Sequence, residues 1–485
     1  VADTLPIIAH IDAPLTIADR QLAQQVAGNL RQKYQQLTPD PIFAAQRISG
    51  PVQGRAFHCD DHTAIQHPGG TKGLEAYQER ARLRALHGDL MATARDSGEA
   101  YRNYCQEQLG LGCVEWLVPE PRADLLCLAE ACWEDRSVRR KLVHAVRQED
   151  LTHIHPHQGT NAIWRLALLL SQAAHRPVRV LGPPPGLNSF VNDKGHFTRL
   201  IQQLFGSSSA PPTSVVWSRA MAADQVRRFA ESGAAVALKL PNSAGGEGNL
   251  QLPMEQVNGR SIAEIDELLH ALLDGIGYES GDELLATVWQ SNVLCAPSAQ
   301  MWILAEGNGD PILEGFFEQF IVSREGKFAG AVPFEMPAHL AELAAWQCQL
   351  VATIFQHLGY VGRCSFDLVL IGDLMETASV EFIECNGRWG GTSLPMSLIN
   401  RLFGDWTNQP FSSHSLTLAG VGQTPWSDWL NQLGDRAFDR RTGQGQLILL
   451  HPQILAGRDQ LSVIALADSS QSAMQAAHEE FPEWV

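Results

Sequence analysis

The 485-residue chain predicts an α/β protein assembled from α+β lobes, and three observations point there. Its length exceeds what one simple core fills; at about 150 residues per domain it divides into roughly three units. Residues 1–187 alternate short apolar runs with amphipathic stretches, whereas later residues give longer helices, more strands and a glycine-rich turn. Hydrophobic residues make up 45% and charged residues 18%, the balance of a compact chain rather than a disordered one.

Residues 17–37 have helical spacing, with Leu22, Val26 and Leu30 on one stripe. After an interruption at Gly69, Gly70 and Gly73, residues 76–94 read as a charged helix with Leu83, Leu86 and Leu90 facing inward. Residues 177–181 read as a strand that ends in Gly182-Pro-Pro-Pro-Gly186, a strong breaker, so the first unit is expected to span 1–187. A unit at 188–405 follows, with helices at 195–205, 222–233 and 262–273 and strands at 235–240 and 284–289. Further strands are expected near 301–304 and 316–323. A long helix at 338–358 is stopped by Gly359, and strands at 364–370 and 380–385 close the unit. Residues 406–485 hold short strands, a terminal helix and Trp426, Trp429 and Trp484, which suit packing or an interface.

The net charge of −17 repels phosphodiester backbones, so no nucleic-acid partner is expected, although a local cluster of donors can still hold one nucleotide. Nine scattered cysteines without a C-x-x-C pair suit reduced thiols in the cytoplasm. The most apolar run, residues 163–174, contains Arg165 and is too short to span a bilayer, so no membrane association is expected. The N-terminal residues lack the basic-then-apolar pattern of a secretory signal. The expected location is cytoplasmic.

Alternation along the strand around Asp367 sets that carboxylate opposite Phe366 and Leu368, and Glu384 and Asn386, two apart, share a face of the next strand. Two carboxylates and an amide oxygen on adjacent strands form the oxygen-rich donor set that Mg²⁺ prefers. Arg388 adds a planar fork suited to a phosphoryl or carboxylate group, and the loop from Trp389 to Ser393 offers backbone N–H groups to an anion. Cys385, between the two ligands, points into the core rather than acting as a nucleophile.

Lys239 ends an apolar strand and runs into Ser243-Ala-Gly-Gly-Glu-Gly248. In this turn Ser243, Gly245, Gly246 and Gly248 let backbone approach the β- and γ-phosphates of a nucleotide while the lysine supplies a point charge. Asn249 follows Gly248, so the pattern is not a Walker loop. Read alone, the glycines equally suit a surface hairpin, and Lys194, at a helix start, is either a second phosphate-reaching cation or a solvated residue. His153, His155 and His157 alternate as strand ligands for zinc would, but without a nearby Cys or carboxylate they read as structural or substrate-positioning residues; Asp60-Asp61-His62 is similarly unsupported.

Taken in order, Asp193-Lys194, Lys239 with its glycine loop, Gly359 through Asp367, and Glu381-Phe-Ile-Glu-Cys-Asn-Gly-Arg388 resemble the ATP-grasp superfamily over roughly residues 188–403. The resemblance implies an ATP-grasp fold with an N-terminal pre-ATP-grasp, Rossmann-like domain (1–187). A smaller lobe at about 195–290 and a larger one at about 291–405 would hold ATP between them, with 406–485 packed on the larger. It implies ATP and Mg²⁺ as cofactors, Lys194 and Lys239 on the nucleotide, and Asp367, Glu384 and Asn386 on Mg²⁺. Arg388, with Lys239, would stabilise the transferring phosphoryl group or an acyl-phosphate. Such hinges usually place an acidic residue after the strand at 284–289; here Gln290 stands in that place. Residues 177–186 with Asn188 and Lys194, and more loosely Pro297-Ser298 and Glu318-Gln319 through Pro333, also look like pheganomycin-type peptide ligases. The implied activity is carboxylate–amine ligation of small, amino-acid or peptide-like substrates, with a homodimer as the assembly common among such proteins. A phosphotransferase and a non-catalytic nucleotide-binding protein remain as alternatives.

Overall fold

The computed structural model describes residues 11–67, 70–71, 73–246, 248–322, 326–417, 424–451 and 460–475. Three sheets organise them. The first is parallel, with order β3-β2-β1-β4-β5: β1 Arg55–Cys59, β2 Leu90–Ala92, β3 Glu115–Leu117, β4 Leu151–His155 and β5 Arg179–Val180. Helices such as Arg136–Gln148 and Asn161–Ala174 follow the strands and bury Leu142, Val146, Ile163, Trp164 and Leu170 against Phe57 and Ile154. A parallel sheet needs such crossovers, which is why apolar runs alternate with amphipathic ones in this part of the sequence.

The second sheet is antiparallel, with order β6-β9-β7-β8: β6 Thr213–Val216, β7 Ala235–Lys239, β8 Asn249–Leu252 and β9 Leu284–Trp289. Helices Arg219–Glu231 and Ile262–Gly275 cover it through Val226, Ile265 and Leu269. The third is antiparallel and nine-stranded, built from β10 Val293–Cys295, β11 Pro297–Ile303, β12 Ile312–Val322, β13 Lys327–Pro333, β14 Gly362–Ile371, β15 Ser379–Asn386, β16 Phe411–Thr417, β17 Leu447–Leu449 and β18 Gln460–Leu466. β14 lies between β11 and β15, and β16 and β18 continue the same sheet beyond β13. The Ala338–His357 helix packs on β11 and β14 through residues such as Leu350, Ile354 and Phe355.

Two expected elements differ. Residues 76–94 are not one helix: a 3₁₀ segment Leu74–Arg80 and a single α-turn Ala81–Arg84 give way to the loop around Gly88 (φ +87°), and Leu90 enters β2. In the Ile17–Lys33 helix Leu22 is 39% exposed, and Ala23 takes the inner position beside Val26 and Leu30. Past the proline block the chain turns directly into the helix Pro185–Asn192, whose Gly186 lies so close to Gln36 that a Cβ would sit 1.9 Å from its carbonyl oxygen. Trp426 and Trp429 are buried, Trp426 edge-on to Tyr101 and Tyr104, while Trp484 lies outside the described residues. All nine cysteines are free thiols, and no described helix is long and apolar enough to cross a membrane.

Candidate active site

The β14–β15 register sets Asp367 opposite Glu384 and Ser365 opposite Asn386, while Phe366 and Cys385 pair on the other face. Phe366, Leu368 and Cys385 are buried in the core with Phe197 and Phe382, so strand alternation presents the two carboxylates and the amide to a cavity. Ser298 of β11 and Gln319 of β12 donate to Asp367 Oδ1 at 2.7 and 3.0 Å, and Asn386 donates to Oδ2 at 2.9 Å. Gln300 in turn donates to Ser298 Oγ at 2.9 Å. Burial, then the charge of Glu384, push Asp367 up to about 7 despite these bonds. Burial opposes charge on Glu384 too, but Lys194, Arg388 and Lys239 hold it below the usual carboxylate range.

Arg388 leaves the end of β15. Its Nη1 and the backbone N–H of Gly387, 3.1 Å away, both donate to Asn192 Oδ1, and Asn192 donates back to Asn188 O at 2.8 Å. The last turn of the Pro185–Asn192 helix therefore fixes the guanidinium from a distant part of the chain.

Lys194 starts the next helix. Its Nζ donates to Ser243 O at 2.7 Å and lies 3.3 Å from Glu384 Oε2. That residue ties the glycine loop to the carboxylate pair. Within the loop Gly245 and Gly246 take φ of +64° and +82°, which side chains other than glycine resist. Gly248 packs where a Cβ would meet Ser243 Oγ at 2.3 Å, and its carbonyl accepts from Leu240 N at 2.9 Å. Glu247 lies outside the described residues. Lys239 ends β7 with its Nζ 5.3 Å from the centre of the Trp289 ring, and burial lowers it to about 8 against the pull of Glu384. Gln290, just past β9, donates to Glu381 Oε2 at 2.9 Å.

The side chains that carry charge or donors here open on one cavity of about 570 Å³, with Asn192, Gly248 and Glu381 standing behind it. Lys194, Lys239, Ser243, Gly245, Gly246, Gln290, Asp367, Glu384, Asn386 and Arg388 line it together, although they come from four stretches of sequence. Sequence reasoning missed Asn192, Ser298, Gln319, Glu381, Arg80 and Lys327. Glu381, Ser298, Gln319 and Lys327 sat inside quoted segments without a role of their own, Asn192 precedes the quoted Asp193-Lys194, and Arg80 carries no local signal. The three alternating histidines do not act as one set. His153 is buried beside Thr152 Oγ1 (3.0 Å), His155 accepts from Trp389 Nε1 at 3.2 Å, and His157 alone lines the cavity. Asp60 pairs with Arg84, and Asp61 accepts from Ala129 N at 3.3 Å. Among the described residues no three His, Cys, Asp or Glu side chains gather as a metal site.

No family model and no curated protein matches the sequence. Solved structures do resemble the fold. An ADP complex of an N5-carboxyaminoimidazole ribonucleotide synthetase aligns over 89% of this chain and 97% of its own, at 14% identity and a TM-score of 0.50. The ADP-bound N5-carboxyaminoimidazole synthetase of Staphylococcus aureus aligns over 90% and 99%, at 12% identity and the same score of 0.50. The biotin carboxylase domain of the Hydrogenobacter thermophilus 2-oxoglutarate carboxylase, solved with MgADP, ADP and bicarbonate, aligns over 87% and 88% at 12% identity, also with 0.50. The likeness is one of fold: the ATP-grasp arrangement preceded by a parallel-sheet, pre-ATP-grasp domain.

Proposed function

We propose that the cavity is the active site of an ATP-dependent carboxylate–amine ligase that forms an amide or peptide bond through an acyl-phosphate and releases ADP and phosphate. One observation carries the reading. Lys194 Nζ touches both the glycine loop, through Ser243 O, and the carboxylate pair, through Glu384. That pair of contacts supports a reading in which this lysine stands between the phosphates and their metal.

In this reading the backbone of Gly245 and Gly246 and the charges of Lys194 and Lys239 hold the β- and γ-phosphates. The Gln290 amide, oriented by Glu381, replaces the usual acidic residue at the adenine edge. Asp367, Glu384 and Asn386 would hold Mg²⁺. The residues fit: they are hard oxygen donors, and burial together with the opposed Glu384 charge raises Asp367 to about 7, a cost that a divalent cation relieves. Bound there, the ion would neutralise phosphate charge. Arg388, pinned by Asn192, aims its fork where charge develops on the transferring phosphoryl group and then on the acyl-phosphate. An amine next displaces phosphate from carbonyl carbon and gives up a proton as the C–N bond forms. A lid at residues 244–249 that closed over the intermediate would deny water the same attack.

Small amino-acid or peptide-like substrates suit the resemblance to pheganomycin-type ligases. The test is ADP release from Mg-ATP with a pool of amino acids and short peptides, comparing wild type with Glu384→Gln and reading products by mass spectrometry. Substrate-dependent ADP with an amide product, lost in the variant, supports the proposal. A stable phosphorylated product would make the protein a phosphotransferase, and AMP with pyrophosphate would replace the acyl-phosphate by an adenylate.

A further inference from the structure

The proposed chemistry leaves one end of the cavity unused. There it is lined by His62, Tyr77, Arg80, His157 and His451. β1 and β4 are the neighbours from which the sheet order 3-2-1-4-5 runs outward in both directions, and the segments leaving their C-terminal ends carry His62 and His157. Open parallel sheets receive ligands in the crevice beyond such a switch point.

Among the described residues, four histidine ring nitrogens there lack hydrogen-bond partners. His62 and His157 are each 5% exposed and His451 2%, with the His62 and His157 rings 4.7 Å apart. His62 Nε2, His157 Nδ1 and both ring nitrogens of His451 are buried without a hydrogen bond. Arg80 lies over the Tyr77 ring at 3.9 Å, and among the described residues it forms no salt bridge. Asp60, the carboxylate that attracts it, is already held by both Nη atoms of Arg84. Burying several ring nitrogens with their bonds unmade, beside a half-buried guanidinium that has no carboxylate of its own, is costly. A neutral polar guest would answer the ring nitrogens but not the charge of Arg80, and a cation would be repelled by it; an anion answers both. This end is also joined to the phosphoryl end, since Trp389 N, next to Arg388, donates to His157 O at 3.0 Å.

We infer that Arg80, with His62 and His157, binds a second anionic group on the substrate acid, a carboxylate or a phosphate-like group remote from the carboxylate that reacts near Arg388. The substrate class is thus a dianionic acid. This inference rests on the proposed ligase reading for the place of the reacting carboxylate. The planar fork of Arg80 takes two oxygens of one group, and the ring nitrogens supply the remaining contacts.

Calorimetric titration tests it with butyrate, glutarate and 4-phosphonobutyrate added to the full chain in the presence of Mg²⁺ and a non-hydrolysable ATP analogue. Glutarate or 4-phosphonobutyrate is expected to bind at least ten times more tightly than butyrate, and whichever does so identifies the group as carboxylate or phosphate-like. Arg80→Met should erase that advantage while the analogue's affinity and the thermal midpoint stay at wild-type values. If Arg80→Met fails to fold, His157→Gln serves in its place with a smaller loss. Equal binding of mono- and dianions, or an advantage that survives both variants, would overturn the inference. Dianion binding that depends on Arg80 without any analogue binding would instead sink the ligase reading and leave the anion site. Analogue binding without a dianion advantage would do the reverse.

Discussion

At the β14–β15 edge charges meet their opposites: Glu384 has Lys194, and Asp367 has three hydrogen-bond donors. At the switch point of the parallel sheet, Arg84 takes Asp60 and Arg80 is left with an aromatic face and three histidines. The first end is a balanced set in which two carboxylates still oppose each other, a surplus that a metal and phosphates absorb. The second, among the described residues, is a guanidinium without a carboxylate of its own beside histidine nitrogens without hydrogen bonds. The contrast separates two jobs, stabilising charge that develops in a reaction and holding charge that a substrate brings with it. Only the first job should appear in the turnover number.

Glu384→Gln should produce the largest effect. It removes a metal-facing carboxylate and the partner of Lys194, and ADP formation should fall on the order of 10²–10³-fold in kcat, the usual cost of losing one electrostatic contributor. A stopped or coupled ADP assay reads it. Phe366→Ala acts on the opposite face of the same strand. It empties a fully buried site stacked on Phe197 and should cost about 3–5 kcal/mol in urea unfolding. If that variant lost activity without losing stability, the division of the strand into a core face and a chemical face would be wrong.

Arg388→Met and Arg80→Met sharpen the comparison directly. The first should lower kcat and kcat/KM together, whereas the second should raise KM about tenfold with a much smaller change in kcat. Identical kinetic signatures would collapse the two ends into one role. The smallest effect concerns pH. Lys239 is held near 8 by burial, so raising the pH through 8 discharges it in the free protein, and nucleotide binding should weaken and take up a proton. Below about 7 the lysine is charged and this dependence disappears. Lys239→Met should bind more weakly and lose the fall above pH 8, as titration in buffers of different ionisation enthalpy would show.

How much of this was readable without a structure depends on how local each signal is. Asp367, Glu384, Asn386 and Arg388 were legible because a period of two assigns faces along single strands and their motif is contiguous. The α/β class was legible from alternating elements and breakers, whereas the ATP-grasp arrangement was implied only by the resemblance of the motifs. The partners were not. Asn192 reaches Arg388 across 196 residues and Glu381 meets Gln290 across 91, contacts set by sheet order rather than by any spacing. The histidines were misgrouped because alternation holds only to the end of β4 at His155, after which His157 follows the loop into the cavity. Residues 76–94 mimicked a helix because leucines at 83, 86 and 90 keep helical spacing across a turn at Gly88. Periodicity does not register that break.

The most direct test of an acyl-phosphate follows the oxygen. With a substrate acid labelled with ¹⁸O in its carboxylate, transfer of the γ-phosphoryl group to that carboxylate and displacement by an amine must leave one ¹⁸O in the released phosphate. Mass spectrometry of the phosphate should therefore show a shift of one label alongside ADP. Unlabelled phosphate, or label carried into AMP, would contradict the proposed chemistry.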